Sequence, residues 1–249
     1  MEKSDRSFNA NSALDRLPNE LLLEVISYLP LKSLIAARGV NSSWRTLVLE
    51  SDLLQVRRKL LHFYLSVIRS PSFLAARQPV VRQLYPFDRD RYLDSYIQRS
   101  LEIPEEFEFY VREWPAKAAI TWLWPGLLQA FQGQSSGRIQ GRNCLGSNRS
   151  PGELYFPNSE DDEEEADDAT CVRALELWEH GCAWSDWLIC DKSKDKSDRI
   201  RFGEVYACEG SWVNWEDKEK QEARSFIDWL AQRVRDVFDG MHSQLTYSA

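Results

Sequence analysis

The chain has 249 residues, enough for one or two domains, and 43% of them are hydrophobic and 12% aromatic, as in folded proteins rather than disordered ones. The formal net charge is −8, and residues 1–60 hold nine Lys and Arg against seven Asp and Glu, so the acidic excess lies in the rest of the chain. This balance argues against a general affinity for nucleic acid phosphates, and we expect no nucleic-acid partner.

The N-terminal segment and the hydropathy pattern bear on the compartment. Residues 1–13 are polar and charged, lack the apolar stretch of a signal peptide, and predict a flexible arm. No apolar run approaches the ~20 residues of a membrane-spanning helix, so we expect no membrane partner and a location in the cytoplasm, the nucleus or both. The five cysteines form no CxxC pair, and their odd number in such a compartment predicts reduced thiols.

Residues 14–50 predict three short amphipathic helices. Pro18 suits a first helical position, because its φ is fixed and it has no amide to leave unpaired. Pro30 is expected to end the first helix, while Ser33 and Asn41 can cap the second and third helices. Each helix carries more apolar surface than it can bury by itself, which favours a docking unit; the alternative is the core of a small helical bundle.

The landmarks of this segment occur in a specific order, with Leu-Pro at residues 17–18, Leu-Pro at 29–30 and Trp-Arg at 44–45. With the leucines between them, they resemble an F-box. The resemblance implies docking on Skp1, the adaptor of cullin-type ubiquitin ligases, and through it on a cullin. It also implies the Skp1-facing side chains, which are Leu17, Pro18, Leu21, Leu22, Ile26, Leu29, Pro30, Leu34, Val40 and Trp44.

Residues 51–87 predict a linker helix and a joint. An apolar stripe over residues 52–69 indicates a helix that Pro71 ends. Three prolines within residues 71–90 indicate an irregular segment. A stiff connector of this kind would fix the position of a bound target relative to a ligase.

Residues 88–240 predict a mixed domain, so that the whole chain is α+β: a three-helix F-box, a linker helix and a C-terminal domain with a mainly antiparallel sheet. Alternation places Leu175, Leu177, Trp187 and Ile189 on buried faces. The predicted helices cover residues 92–101, a segment opened by Pro104, and 219–238; the predicted strands cover residues 172–178, 183–191 and 202–208, with a further short one at 211–215.

Residues 132–170 predict a long disordered loop. Residues 132–153 are rich in Gly and Ser, and eight of the nine residues 160–168 are acidic. Such a run repels itself and stays solvated, which favours a plain insertion. The alternative is an electrostatic attraction for a basic partner.

Three short motifs give the C-terminal region a second resemblance, which would span residues 88–238. They are Ile-Pro-Glu-Glu-Phe at 103–107, Phe-Gly-Glu-Val-Tyr at 202–206 and Ser-Phe-x-x-Trp-Leu at 225–230. Together they resemble the SUKH superfamily of fungal cell-wall-synthesis regulators and bacterial immunity proteins. The resemblance implies a protein-binding domain with no catalytic residues to carry over.

The chain has ten tryptophans, nine of them after residue 110. Most are expected to fill the core of an aromatic-rich domain. Trp184, Trp212 and Trp215 fall near predicted strand ends, where an exposed indole would make a hot spot for binding a target protein.

The cysteines and histidines match no metal-binding or catalytic pattern. His180 with Cys182, Cys190 and Cys208 fits no zinc spacing, and a Cys182–His180 pair lacks an orienting third group in the sequence. No phosphate loop, nucleophile elbow or dinucleotide fingerprint occurs. We therefore expect no enzyme, no metal and no cofactor.

Three functions remain open. The first is the substrate-recognition subunit of an SCF-type ubiquitin ligase, with the F-box on Skp1 and the C-terminal domain on an unknown target. The second is a scaffold bound to Skp1 without ubiquitin transfer, or a SUKH-type regulator. The third is an enzyme whose site lies hidden in the C-terminal domain.

Overall fold

The computed structural model describes residues 17–119, 123–127, 141–146, 151–157, 169–180, 184–194, 200–213 and 221–245. It is an α+β fold, as predicted, and it divides into two compact units, Met1–Leu61 and His62–Ala249, with the division inside helix α4. The helices are α1 (Asn19–Ser27), α2 (Leu31–Arg38), α3 (Ser42–Glu50), α4 (Gln55–Val67), α5 (Pro71–Val81), α6 (Arg89–Ile97), α7 (Glu105–Glu113) and α8 (Phe226–Leu245). The strands are β1 (Arg142–Asn143), β2 (Gly152–Pro157), β3 (Ala169–Glu179), β4 (Trp184–Ile189), β5 (Val205–Glu209) and β6 (Gln221–Ala223).

In the first unit, α1 and α2 both pack on α3. Asn41 caps α3 as predicted, because its side-chain oxygen accepts a 2.8 Å hydrogen bond from the Trp44 amide. The prediction for α2 was wrong in one detail: the helix begins at Leu31 with Pro30 as its N-cap, so Ser33 is already inside it. Pro18 likewise stands at the N-cap of α1 instead of its first helical position.

The prediction of an irregular segment over residues 71–90 was wrong for residues 71–81 and is confirmed for residues 82–88, which belong to no helix or strand. Residues 71–81 form α5, because Pro71 opens a helix as readily as it ends one. Pro79 lies inside α5, close enough to its end that few backbone bonds depend on it.

An aromatic cluster fills the space where α7 packs on α8. Tyr110 lies 5.3 Å from the ring of Phe226 and 5.5 Å from the ring of Trp124, both edge to face. The polar tips of the buried rings are satisfied, since the Tyr110 hydroxyl donates to the Leu123 carbonyl at 2.7 Å and the Trp114 indole N–H to the Ala118 carbonyl at 2.8 Å. The buried tryptophans therefore do belong to a core, as their number predicts. Within the described residues, no helix combines the length and the apolar character that crossing a membrane requires.

The sheet is antiparallel throughout, in the order β1-β3-β4-β5-β6, with β2 also paired to β3. Leu175 and Ile189 are buried as the alternation predicts. Leu177, two residues from Leu175, is buried as predicted too, and beyond the register shift between Glu176 and Trp178 the neighbouring Trp178 is also buried. Trp187 is only partly buried and packs against the cluster on the opposite face from Leu175.

Residues 211–213 close one end of this sheet. The Tyr155 amide donates to the Ser211 carbonyl at 2.9 Å and the Val213 amide to the Tyr155 carbonyl at 3.0 Å, so the outer edge of β2 is hydrogen-bonded. The sheet thus curls around one apolar cluster, formed by Leu154, Phe156, Val172, Ala174, Ile189, Ile200, Tyr206, Cys208 and Val213.

Three segments differ from the prediction in their secondary structure. β1, the whole of β2 and the first two residues of β3 fall in the segment predicted as a disordered loop, residues 132–170, so that prediction was wrong for these residues. Residues 132–140, 147–150 and 158–168 of the same segment lie outside the described residues. Where the closing helix was expected to start, β6 pairs with β5, and α8 begins at Phe226, with the Ser225 hydroxyl accepting from the Asp228 amide at 3.3 Å. At 211–215, Trp212 makes isolated bridges only, and Trp215 lies outside the described residues.

Candidate functional site: docking surfaces

The first unit leaves several large apolar side chains exposed. Of the residues predicted to face Skp1, Leu21 is 47% and Val40 is 59% exposed, and Pro18 and Pro30 are also exposed. Leu17, Leu29 and Trp44 are half-buried. Two further apolar residues that the prediction omitted, Val25 and Tyr28, are exposed in the same segment. Exposed apolar groups at this density are typical of a protein-binding surface.

Three of the residues predicted to face Skp1 are buried within the chain: Leu22, Ile26 and Leu34 are 5%, 0% and 0% exposed. In α1, Leu22 and Ile26 are four residues apart and thus on one side of the helix, while Leu21 and Val25 occupy the neighbouring stripe. The helix therefore has a buried side and an exposed apolar side. The buried side agrees with the interpretation of these helices as the core of a small bundle. The exposed side agrees with their interpretation as a docking unit.

The second unit exposes one aromatic pair. Trp212 is 46% exposed, and its ring stacks on that of Tyr155 with centroids 5.4 Å apart and planes 27° apart. Of the other two tryptophans predicted to bind a target, Trp184 is half-buried and Trp215 lies outside the described residues. Of the tryptophans predicted to bind a target, Trp212 is therefore at the surface and Trp184 is partly accessible.

The N-terminal segment matches a known family. Residues 14–55 match the F-box domain. This match covers the first three helices and supports, in general terms, a Skp1-binding adaptor that is not itself catalytic. No curated protein and no solved structure matches the chain. The SUKH resemblance of the region after the F-box domain accordingly stays a prediction, as do the domain boundaries.

A buried ionic cluster, which was not predicted from the sequence, lies outside the F-box domain. Asp186 on β4 is fully buried, and its carboxylate accepts a 2.9 Å hydrogen bond from the indole N–H of Trp229. The same carboxylate pairs with Arg233 of α8 and lies 2.9 Å from His180 Nε2. The sequence signal was an aspartate in the middle of a strand whose other residues, apart from Ser185, are apolar. Asp186 lies on β4, Trp229 and Arg233 lie on α8, and His180 follows the end of β3, so the cluster joins the sheet to the last helix.

The same cluster supplies His180 with an orienting carboxylate, which the sequence did not reveal. Its suggested nucleophile, Cys182, lies outside the described residues. The other suggested zinc ligands are used within the fold, since the Cys190 thiol contacts the Leu188 carbonyl at 3.4 Å and the Cys208 thiol the Gly210 carbonyl at 3.7 Å. Burial raises the pKa of the Cys190 thiol, which disfavours the thiolate that a metal or a nucleophilic reaction needs.

One group of potential metal ligands converges elsewhere in the described residues. Cys144, Glu176 and Glu179 bring one ligand atom each to within 4.8 Å of the others. Glu179 pairs with Arg142, and Glu176 accepts a 2.8 Å hydrogen bond from the Ser185 hydroxyl. Protein donors therefore already satisfy the two carboxylates, and we assign no metal to them.

Proposed function

We propose that this chain is the substrate-recognition subunit of an SCF-type ubiquitin ligase. Its F-box domain binds Skp1, and through it a cullin, while the α+β unit that follows holds a target protein in the cytoplasm or nucleus. The observation that carries the proposal is the F-box match over residues 14–55, which coincides with helices that keep large apolar side chains exposed. A subunit of this kind contributes proximity, because it raises the effective concentration of the target near the conjugating enzyme.

Exposure divides the proposed Skp1 contacts into two groups. Leu21, Pro18, Pro30 and Val40 have surface to give to a partner, whereas a wholly buried side chain such as Ile26 has none unless the helices rearrange. We therefore assign direct contact to the exposed group. The buried group consists of Ile26, Leu22 and Leu34. It holds the helices in the arrangement that presents the exposed group to Skp1.

The proposal is tested by titrating Skp1 into the purified full chain by calorimetry. Leu21→Asp puts a charge on the proposed contact surface, where desolvating it is unfavourable, and we expect at least a tenfold weaker affinity. Ile97→Asp makes the same kind of change at a 56% exposed position of α6 and should bind Skp1 like the wild type. Leu22→Asp is avoided, since its side chain is 5% exposed and the charge would disrupt folding.

Two outcomes count against this assignment. Full retention of Skp1 by Leu21→Asp would show that α1 docks by another surface, and absence of binding by the wild type would refute the proposal. The alternative of a Skp1-bound scaffold without ubiquitin transfer is separated by adding a cullin to the purified Skp1 complex. A ligase subunit is expected to bring down the cullin in comparable amount, whereas a scaffold is expected to retain Skp1 alone.

A further inference from the structure

We propose that the stacked pair Tyr155–Trp212, with Glu153 and Glu209 beside it, is a docking platform for an arginine-bearing segment of a partner protein. This inference rests on the proposed function, because it specifies the chemistry by which the α+β unit would hold a target.

The backbone holds the two rings in place. Two hydrogen bonds join Tyr155 to residues 211 and 213, at 2.9 and 3.0 Å, and Trp212 forms a parallel bridge with Tyr155. Side chains at bridged positions point to the same face of a sheet, and their stacking follows from that. The indole is thus exposed but already oriented, so little side-chain entropy remains to be lost when a partner binds.

The same register places two carboxylates on this face. Glu153 precedes Tyr155 by two residues in β2, so both side chains leave the strand on one side, and its Oε2 accepts from the Tyr155 hydroxyl at 3.0 Å. Glu209 forms an antiparallel bridge with Trp212 and is exposed. The Glu153 hydrogen bond and negative charge raise the pKa of Tyr155, which keeps its ring neutral.

The positive charge closest in register is already engaged. Arg173 lies opposite Glu153 in the β2–β3 pairing, and its guanidinium donates to the Ser100 carbonyl and faces the Asp191 carboxylate at 3.8 Å. Cys171, opposite Tyr155, adds no positive charge. In the sequence, the segment between β2 and β3 carries eight acidic residues at 160–168, so the hairpin that contains Tyr155 has a strongly negative composition. The platform is therefore aromatic and negatively charged.

An arginine side chain fits this combination better than other side chains do. A guanidinium is planar, stacks on an indole or phenol face, and presents a fork of N–H donors to a carboxylate at its edge. A lysine side chain can pair with the carboxylates, but its ammonium group has no plane that could stack on the rings. Acidic and phosphorylated segments are repelled by Glu153 and Glu209.

The test uses the full chain in complex with Skp1 and a short fluorescein-labelled peptide of alternating arginine and glycine, followed by fluorescence anisotropy. We expect this peptide to bind more tightly than a length-matched lysine peptide, and a glutamate peptide not to bind. Trp212→Ala and Glu153→Gln should each lower the affinity for the arginine peptide by about fivefold, because each removes one exposed cation–π or charged contact. Glu105→Gln, at an exposed position of α7, should change nothing.

Trp212→Phe serves as the conservative variant, because it keeps an aromatic face and should retain most of the binding even if Trp212→Ala folds poorly. Equal binding of arginine and lysine peptides, unchanged by Trp212→Ala, would mean simple attraction to acidic charge and would overturn the platform. Absence of peptide binding would overturn it too. Skp1 retention is read in the same samples, so that failure of the platform and failure of the F-box domain are told apart.

Discussion

The buried carboxylate of Asp186 gives the sharpest stability prediction. Asp186→Ala removes the acceptor of the Trp229 indole N–H and the partner of the Arg233 guanidinium, whose side chain is only 18% exposed. Breaking a buried pair by deleting one member costs ~3–5 kcal/mol, because the other charge stays buried without compensation. Arg233 keeps Glu222 at 3.5 Å, so we place the loss near the lower end, at about 3 kcal/mol.

The assay is equilibrium unfolding in urea followed by tryptophan fluorescence. Nine of the ten tryptophans lie after residue 110, so this signal reports the unit that contains Asp186. With a urea dependence of about 2 kcal/mol per molar, a loss of about 3 kcal/mol lowers the midpoint by roughly 1.5 M. Asp186→Asn keeps an oxygen for the Trp229 N–H and should lose less, about 1–3 kcal/mol.

The matched control is Asp94→Asn, which removes an exposed carboxylate from α6 and should stay within about 0.5 kcal/mol of the wild type. If Asp186→Ala unfolded at the same urea concentration as this control, the carboxylate would contribute nothing net, and its role in joining β4 to α8 would be refuted.

Three further outcomes are expected. Arg89 donates to three carbonyls at the end of α7 and lies 5.0 Å over the Trp124 ring, so Arg89→Gln should lower the free energy of unfolding by about 2 kcal/mol, measured in urea. In native chain treated with iodoacetamide, peptide mass spectrometry should find the buried Cys190, whose pKa is raised by that burial, modified after the half-buried Cys171. Burial alone would raise the pKa of Asp191, but hydrogen bonds from Ser193 lower it overall. The stabilising contribution of this carboxylate is therefore present above about pH 4 and lost as the pH falls below that value. An acid titration by circular dichroism should show a shallower loss of folded signal for Asp191→Asn than for the wild type.

The F-box helices were predictable because their signals are local. Asn41 caps the helix that follows it within three residues, and the apolar stripe of α1 is visible in nine residues of sequence. What the stripe could not tell is which of its members face inward. Leu21 and Leu22 are adjacent leucines of one helix, yet one is half exposed and the other buried, and that difference arises from packing on α3.

The strands that the sequence missed depend on distant partners. Gly152 is a poor strand former, yet β2 pairs along its whole length with β3. The ring of Trp187 lies against Gly152, because a Cβ on this glycine would come within 2.3 Å of Trp187 Cζ3. The three residues of β6 are polar or small, and only the β5 edge makes them a strand. Propensity cannot identify a segment whose conformation is decided by its neighbour in the sheet.

The exposure of Trp212 depends on the same kind of long-range pairing. Trp212 and Val213 are consecutive residues, and their side chains point to opposite sides of the closure with β2, one 46% exposed and the other 2% exposed. A slip of one residue in the pairing with Tyr155 would exchange them, burying the indole in the apolar cluster and turning the valine outward. The sequence therefore identified a candidate tryptophan by its place near a strand end. The two hydrogen bonds of Tyr155 decide that this indole, and not the Val213 side chain, faces outward.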